Sequence, residues 1–462
     1  MALALAGCGS AQSRTAAGQG LPGSSPVASL QDDRIYQPGV DVTGRMRTMA
    51  DLGAAVVRVD LRWDLVARSR PADPRDPADP AYDWSAYDRI VSAARATGVR
   101  ILFTVWGTPD WARDPAVPVG SRFGPYAVRP LRPGEFGSFG AAAAARYAPL
   151  GVHLWEAWNE PNIPLFLRPQ FERRGGRWVS VAPALYSSLL RSFYRNVKRG
   201  DPRAKIAGAV TAPVGDQCPS SCPRSPDART TALGFLAGLA APGRRPPMDF
   251  YSHHPYPITT PRDTSFTGAS YIDLYNLDRL ERALDRTYLR GKRLWLTEFG
   301  FGTRRVREYP FHVTPARQAD FLLDAYRRVR QDGRVKLFTW YFLQDSPFWS
   351  SGLLDQRGRR KPAFAAYSLP VAALTAAPAP RGAAVRVVGQ VRAARGATRV
   401  ALQRRDRGGW RRLRLVRTAR DGSFSLVLRP RGTASYRARW SGVTRSGARV
   451  ARVSPTFVLR VR

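Results

Sequence analysis

Short apolar runs alternate with stretches of helical periodicity over most of this 462-residue chain, and this alternation limits the fold more than any other feature. Seven runs have the length and composition of buried strands: residues 55–61, 99–105, 152–158, 204–210, 248–252, 293–297 and 335–342. Helical patterns lie at residues 84–97, 135–147, 182–199, 229–240, 270–287 and 314–331. Strands that alternate with helices favour a parallel sheet with crossover connections.

The number of these units predicts a closed barrel. We place an eighth strand, the first in the chain, near residues 32–36, which makes eight strand–helix units between residues 31 and 375. Eight units over this length are typical of a (β/α)8 barrel with long loops. A doubly wound sheet would more often carry a glycine-rich phosphate loop after its first strand, and the sequence has none there.

The last fifth of the chain has a different pattern. Residues 376–382 are rich in alanine and proline and predict a linker. Short alternating runs follow over residues 383–462, separated by turn residues such as Asp421-Gly422, and they predict a small all-β, immunoglobulin-like sandwich. The predicted fold class is therefore α/β, a (β/α)8 TIM barrel followed by an arginine-rich β-sandwich.

The chain is strongly basic, with 73 lysines and arginines against 35 acidic residues and a formal net charge of +38. Residues 381–462 alone hold 22 arginines and two aspartates, which gives them a charge of +20. This charge would suit an anionic cell-envelope polymer, but no nucleic-acid motif accompanies it, so we expect no specific nucleic-acid partner. The plainer interpretation is a solvated accessory sandwich in a protein from a GC-rich genome. A hydrophobic fraction of 44% excludes global disorder.

The N-terminal segment indicates export. Leu5-Ala6-Gly7-Cys8 resembles a bacterial lipobox, in which Cys8 is lipidated. The residues before it lack a positive charge and are barely long enough for a signal sequence, so either the true start lies upstream or the resemblance is accidental. Residues 9–30 have the composition of a flexible tether. We expect a bacterial cell-surface lipoprotein or a secreted protein, which contacts a membrane only through a lipid anchor.

The two remaining cysteines, Cys218 and Cys222, lie in a loop of proline and serine. In an exported protein such a pair most simply forms a local disulfide. A zinc site would need further ligands, and none of the four histidines lies at ligand spacing from these cysteines. The sequence therefore predicts neither a metal nor a cofactor.

Glutamate is rare, and two of the seven glutamates follow predicted strands at the end where a barrel places its active site. Glu160 and Glu298 are 138 residues apart, which corresponds to three strand–helix units, so they would end the fourth and seventh strands. Cleavage of a glycosidic bond requires two opposed carboxyl groups, one protonated and one ionised. A separation of about 5–5.5 Å would give retention of configuration and about 6.5–9.5 Å inversion. The alternative is that Glu160 and Glu298 have no catalytic role and belong to a structural ion-pair network in the barrel.

The sequence around these glutamates carries a resemblance. The run WNEP at residues 158–161, with the later run LTEFG at residues 296–300, resembles glycoside hydrolases of clan A, which are retaining (β/α)8 enzymes. Within the clan it is most similar to the β-xylosidase/α-L-iduronidase and endoglucanase-like cellulase families. The resemblance implies that Glu160 is the acid/base, that Glu298 is the nucleophile and that Asn159 binds the substrate 2-hydroxyl.

Four further residues match positions of the clan. Arg58 resembles the arginine of the second strand, whose charge would keep the nucleophile ionised. His254 and Tyr256 resemble the His-x-Tyr of the sixth strand, with the tyrosine hydroxyl directed at the nucleophile. Trp340 matches the tryptophan of the eighth strand that forms the floor of the sugar subsite. For His254 the alternative is a buried, hydrogen-bonded structural histidine.

Aromatic residues near the ends of the second and third strands are candidates for stacking on sugar rings. Trp63 and Trp106 are the two that we assign to the substrate site, and ordinary core packing is the alternative for each. Glu156 shares the strand face of Glu160 but lies deeper, where it is more simply a buried partner of an arginine.

These observations predict a retaining glycoside hydrolase that breaks down a β-linked poly- or oligosaccharide. The alternative is a non-catalytic carbohydrate-binding or cell-envelope scaffold on a glycosidase-like barrel. The region between the fifth and sixth strands matches no substrate signature, so the sequence does not identify the sugar.

Overall fold

The computed structural model describes residues 25–120, 122–216, 225–258, 271–306, 311–375 and 378–462. Cys8, Cys218 and Cys222 lie outside the described residues, so the lipidation and the disulfide stay predictions. No helix within the described ranges is both long enough and apolar enough to cross a membrane.

The first part of the chain is a closed barrel of eight parallel strands. Its elements in chain order are β1 (Val27–Gln31), α1 (Val42–Leu52), β2 (Val56–Arg62), α2 (Trp63–Val66), α3 (Ser85–Thr97), β3 (Arg100–Trp106), α4 (Pro133–Tyr147), β4 (Leu154–Ala157), a hairpin of β5 (Phe171–Arg174) and β6 (Arg177–Ser180), α5 (Ala182–Gly200), β7 (Lys205–Thr211), α6 (Ala232–Ala240), β8 (Phe250–His253), α7 (Leu277–Asp285), β9 (Leu294–Leu296), α8 (Pro315–Gln331), β10 (Val335–Tyr341) and α9 (Pro362–Ser368). Hydrogen bonds join the barrel strands in the order β1-β2-β3-β4-β7-β8-β9-β10 and back to β1. The predicted barrel is confirmed.

The second part is a sandwich of two antiparallel sheets. Its strands are β11 (Val371–Ala373), β12 (Val385–Gln390), β13 (Arg399–Asp406), β14 (Gly409–Arg417), β15 (Ser423–Leu428), β16 (Ala434–Val443), β17 (Arg449–Val453) and β18 (Phe457–Leu459). One sheet has the order β11-β12-β15 and the other β14-β13-β16-β17, with β18 also paired to β16. Between the sheets lies a core that includes Trp440, Phe424 and Leu402, which confirms the predicted sandwich.

The first barrel strand lies earlier than the sequence predicts. Residues 33–36 form a turn of 3-10 helix, and the strand is β1, within the segment that we assigned to the tether. Its signal is weak because it is only five residues long and follows a segment rich in glycine, serine and proline. The strand pairs with β2 on one side and with β10 on the other, and this pairing closes the barrel.

The sandwich also begins earlier than predicted. Strand β11 precedes the predicted linker at residues 376–382 and pairs with β12, and Val371 is part of the sandwich core. A strand of three residues is too short to give a periodic hydrophobic pattern. The alanine- and proline-rich segment after β11 therefore marked the predicted domain boundary instead.

The two domains make a close contact at the end of α1. Gly53 ends this helix in the left-handed conformation, with φ of +93°. A Cβ atom at this position would lie 2.3 Å from the backbone of Arg392 in the sandwich. The Arg392 guanidinium is itself buried, donates to the Tyr367 carbonyl at 3.0 Å and lies over the Tyr367 ring. Glycine is therefore required at residue 53 for both the turn and the domain contact.

We predict that Gly53→Ala destabilises the protein more than Gly98→Ala. Gly98 also ends a helix with a positive φ, of +70°, but has no atom within 4 Å of its would-be Cβ. Alanine in the left-handed conformation costs about 1–2 kcal/mol at either position. The overlap with Arg392 adds about 1–3 kcal/mol at residue 53 alone. Urea unfolding of both variants measures the difference, and equal losses of stability would contradict the domain contact.

Candidate active site

The barrel mouth is organised around Arg58, a fully buried arginine on β2. Its Nε donates to Glu156 at 2.9 Å, and its Nη1 donates to Glu298 at 2.6 Å. Its remaining contacts are Nη2 to the side-chain oxygen of Asn159, at 2.7 Å, and Nη1 to that of Gln31, also at 2.7 Å. One guanidinium therefore connects residues on or just after four barrel strands.

Glu156 occupies the deeper position that its place in the strand predicts. It is fully buried and also accepts hydrogen bonds from Thr104 at 2.7 Å and from Ser252 at 2.6 Å. Burial raises its pKa, but the charge of Arg58 and the hydrogen bonds from Ser252 and Arg58 together outweigh this effect, and the pKa of Glu156 lies below its usual range. Glu156 is a structural counterion of Arg58 and does not reach the cavity.

Glu160 and Glu298 face each other across the mouth. One carboxyl oxygen of each lies within 4.8 Å of the other and of the Nδ1 atom of His254. His254 is hydrogen-bonded to Glu160 at 2.8 Å and lies 3.7 Å from Glu298. The two glutamate side chains keep 13% and 12% of their surface exposed, so a ligand can reach both. Carboxyls that approach this closely favour retention over inversion, which needs room for a water molecule between them.

The two carboxyl groups have different electrostatic surroundings. Burial raises the pKa of Glu160 to about 8, with the charge of Arg58 opposing the shift and that of Asp60 adding to it. Burial also raises the pKa of Glu298, and the charge of Arg58 opposes this rise. Glu298 accepts hydrogen bonds from both Arg58 and the Tyr256 hydroxyl, the latter at 3.0 Å. Of the two carboxyls, Glu298 is the one stabilised as an anion and Glu160 the one that holds a proton at neutral pH.

A turn with unusual backbone angles presents Asn159 and Glu160. Trp158 and Glu160 have positive φ values of 73° and 37°. Residues with a side chain adopt this conformation at a cost of about 1–3 kcal/mol each, and such strain is often found at functional sites. Trp158 anchors the turn because its ring is buried and its Nε1 donates to the Phe166 carbonyl at 2.8 Å. Asn159 accepts from Arg58 through its oxygen, so its amide nitrogen remains as a donor at the cavity.

The glutamates open into a cavity of about 750 Å³ with two unlike halves. The half beside β9, β10, β1 and β2 is the more polar one: it has the side chains of Glu298, Tyr341, Asp33, Gln37 and Asp60, with the rings of Phe342, Phe348 and Trp349 at its border. The half beyond Glu160, beside β4 and β7, is apolar, with the side chains of Ile163, Leu165, Phe166, Ala212, Pro213 and Val214. Asn162 makes this half apolar, because its amide accepts from the backbone of Ala212 and donates to the carbonyls of Ala212 and Val214. The backbone polar groups of this wall are thus turned away from the cavity.

Of the three tryptophans that we assigned to the substrate site (Trp63, Trp106 and Trp340), the structure brings only Trp106 to the cavity. Trp63 is 1% exposed and packs in the core against Phe136 and Phe139, so its assignment to the substrate site was wrong. Trp340 is also 1% exposed, and its Nε1 donates to the Ser351 carbonyl, so this assignment was wrong too.

The neighbour of Trp340, Tyr341, lines the cavity instead. Successive side chains of a strand point to opposite faces, so only one of the two rings can face the ligand. The other predicted residues (Arg58, Asn159, Glu160, His254, Tyr256 and Glu298) lie together at the mouth of the barrel. The neighbouring His253 is a buried structural histidine, bonded to Thr211 and to the Ile272 carbonyl.

Sequence reasoning missed two acidic residues of the polar half, Asp33 and Asp60. Gln31 donates to both of them, at 3.0 and 3.1 Å. Burial and the charge of Asp60 raise the pKa of Asp33 to about 8. The signal for Asp60 was present, because a residue two positions after Arg58 in a strand shares its face. Asp33 had no such signal, since the position of β1 was not recognised.

Among the described residues, Glu160, His254 and Glu298 are the group whose ligand atoms lie close enough to hold a metal ion. Arg58 already donates to Glu298, and the raised pKa of Glu160 disfavours its anionic form. This set of donors is better suited to proton transfer than to a cation.

Known structures resemble this architecture, although no family model and no curated protein sequence matches the chain. A glucosidase from Croceicoccus marinus aligns with 93% of this chain and 96% of its own, with a TM-score of 0.55 and 15% identity. A monomeric β-xylosidase from Caulobacter crescentus aligns with 88% of this chain and 96% of its own, with a TM-score of 0.53 and 16% identity. A GH39 β-xylosidase from the same organism has the same coverage, a TM-score of 0.52 and 18% identity. The likeness shows the fold.

We predict that Arg58→Met destabilises the protein by about 3–5 kcal/mol, because it leaves Glu156 buried without its cation. Arg146→Met is the matched control, since Arg146 pairs with Asp88 near the surface, where a pair contributes about 0–1 kcal/mol. Thermal and urea unfolding compare the two variants. Similar stability of both would mean that the Arg58 network does not support the barrel.

Proposed function

We propose that the barrel is a retaining glycoside hydrolase, with Glu298 as the nucleophile and Glu160 as the acid/base. The observation that carries the proposal is the pair of facing carboxyls, which are close together and have different partners: Glu298 accepts from Arg58 and Tyr256, and Glu160 is bonded to His254. A scaffold protein would have no need of this difference, and the described residues include every group that the two steps require.

In the first step, the ionised Glu298 attacks the anomeric carbon and the bond to the leaving oxygen breaks. Glu160 gives its proton to that oxygen, and a glycosyl ester of Glu298 forms. Arg58 and Tyr256 hold the attacking carboxylate in place before the reaction, so no reorganisation is needed at that point. The Asn159 amide is placed to donate to the sugar 2-hydroxyl, a bond that strengthens in the transition state.

In the second step, a water molecule attacks the anomeric carbon and Glu298 leaves. Glu160, now a carboxylate, takes the proton of this water and returns to its starting state. His254 is hydrogen-bonded to Glu160 and keeps its carboxyl oriented through both steps. Burial lowers the pKa of His254, so its neutral imidazole adds no charge to the site.

The substrate that we propose is a β-linked oligo- or polysaccharide. Its sugar would lie in the polar half of the cavity, where the carboxyls of Asp33 and Asp60 accept hydrogen bonds from hydroxyl groups. The leaving group would lie beyond Glu160, against Leu165 and Val214 in the apolar half. The described lining of the cavity has four carboxyl groups and no arginine or lysine that could pair with a uronate, so we expect neutral sugars to be preferred over uronic acids.

We predict that Glu298→Ala abolishes turnover, because no other described group can attack the anomeric carbon. Glu160→Ala should lower kcat/KM by about 10²–10⁴-fold for substrates with poor leaving groups and far less for dinitrophenyl glycosides, which need no proton. A panel of aryl β-glycosides, with the first anomer of the product identified by NMR, measures both effects. Wild-type rates in both variants would rule out the assignment.

The raised pKa of Glu160 predicts a pH dependence. A general acid must be protonated, so kcat/KM should fall as the pH rises through about 8, the pKa of Glu160. In Glu160→Gln, assayed with the same poor-leaving-group substrate as the wild type, this alkaline limb should disappear from the remaining activity. A limb that persists unchanged in the variant would assign the titration to another group.

A further inference from the structure

One face of the sandwich carries an array of arginines that the barrel chemistry does not use. In the sheet β14-β13-β16-β17, side chains alternate between the sandwich core and solvent. Val400, Leu402, Ala438 and Trp440 face the core. The alternate positions, matched by the strand register, form the outer face and include Arg399, Arg405, Arg412, Arg417, Arg437, Arg439 and Arg449. We call these seven residues the arginine face.

The arginine face has no compensating charge. None of the outward positions of the four strands is an aspartate or a glutamate. In the described part of the sandwich, the one arginine–carboxylate pair joins Arg411 and Asp406 at 3.5 Å, and neither residue belongs to the face. Six of the seven side chains are exposed. Arg399 and Arg417 are directly opposite each other on neighbouring strands, an arrangement that is unfavourable for like charges.

Protection of a sheet edge explains only part of this pattern. Charged side chains on an edge strand prevent pairing with other sheets, and β14 is an edge strand. That role requires charge on β14 and on β17, the strand at the other edge, but not on the strands between them. Arg399 and Arg405 lie on β13, and Arg437 and Arg439 lie on β16, both of which are paired on two sides. An anionic partner would relieve the repulsion across the interior of the sheet.

We infer that the arginine face binds a linear acidic polysaccharide. Residues 399 to 405 of one strand span about 20 Å and four strands span about 15 Å, so the face is large enough for several anionic groups along one chain. Guanidinium groups pair with carboxylates through two parallel hydrogen bonds. The face is less suited to nucleic acid, because its single aromatic ring, that of Trp410, is covered by Arg437 at 4.3 Å and is not open for base stacking.

The test compares two variants of the full-length protein that lose the same charge. The face variant combines Arg399→Gln, Arg412→Gln and Arg439→Gln. The control variant combines Arg47→Gln, Arg89→Gln and Arg286→Gln, which are exposed residues on or just after barrel helices. Affinity for alginate, a linear polyuronate, is measured at several salt concentrations, with neutral dextran, duplex DNA and anionic phospholipid vesicles as the other probes.

We expect the wild-type protein to bind alginate and not dextran, with an affinity that falls as salt increases. The face variant should lose about tenfold or more in affinity, and the slope of log affinity against log salt should decrease by about 2, because three ionic contacts are gone. The control variant should stay within about twofold of the wild type. Equal losses in both variants, absence of alginate binding, or tighter binding to DNA or vesicles than to alginate would overturn the inference. Circular dichroism and the unfolding midpoint verify that both variants are folded.

Discussion

The structure depends on one buried cation, the guanidinium of Arg58. A fully buried guanidinium is costly unless its donors are paired, so residues on or just after three other strands of the barrel have to reach it together. Glu156 supplies the deep counterion, while Glu298, Asn159 and Gln31 occupy the remaining donors. The hydrogen bonds that pair the donors of Arg58 also position the reacting groups. They favour the anionic form of Glu298, and they orient Asn159 so that its amide nitrogen is directed toward the cavity.

The difference between the two active carboxyls follows from this arrangement. Both glutamates are buried in the same mouth, and burial alone would raise the pKa of each. Only Glu298 receives the direct hydrogen bonds of Arg58 and Tyr256, whereas Glu160 has a neutral imidazole as its partner. Two identical side chains therefore differ in the form that their neighbours favour, the anion for Glu298 and the acid for Glu160, which is the condition for acid and nucleophile roles at one pH.

Much of this site could be predicted from the sequence, because its signals are local. Glu160 and Glu298 follow apolar runs, and the spacing between them counts strand–helix units, so their convergence follows from the barrel itself. Other parts of the fold were harder to predict, because some elements form only through contacts with residues far away in the sequence. Strand β1 is short and is defined by pairing with β10, more than 300 residues later. The choice between Trp340 and Tyr341 depends on which side chain faces the cavity at the end of β10. Trp63 is buried because α4 packs against it, and no local sequence pattern shows that contact.

The role of Glu298 as the nucleophile means that one oxygen atom of its carboxylate forms a bond to the sugar. Incubation with a 2-deoxy-2-fluoro glycosyl fluoride, of a sugar that the enzyme hydrolyses, slows the second step more than the first and traps the ester intermediate. Peptide mass spectrometry then locates the added glycosyl group. The account predicts a stoichiometric label on Glu298 in the wild type and no label in Glu298→Ala. A label on another residue, or product of inverted configuration with no trapped ester, would contradict it.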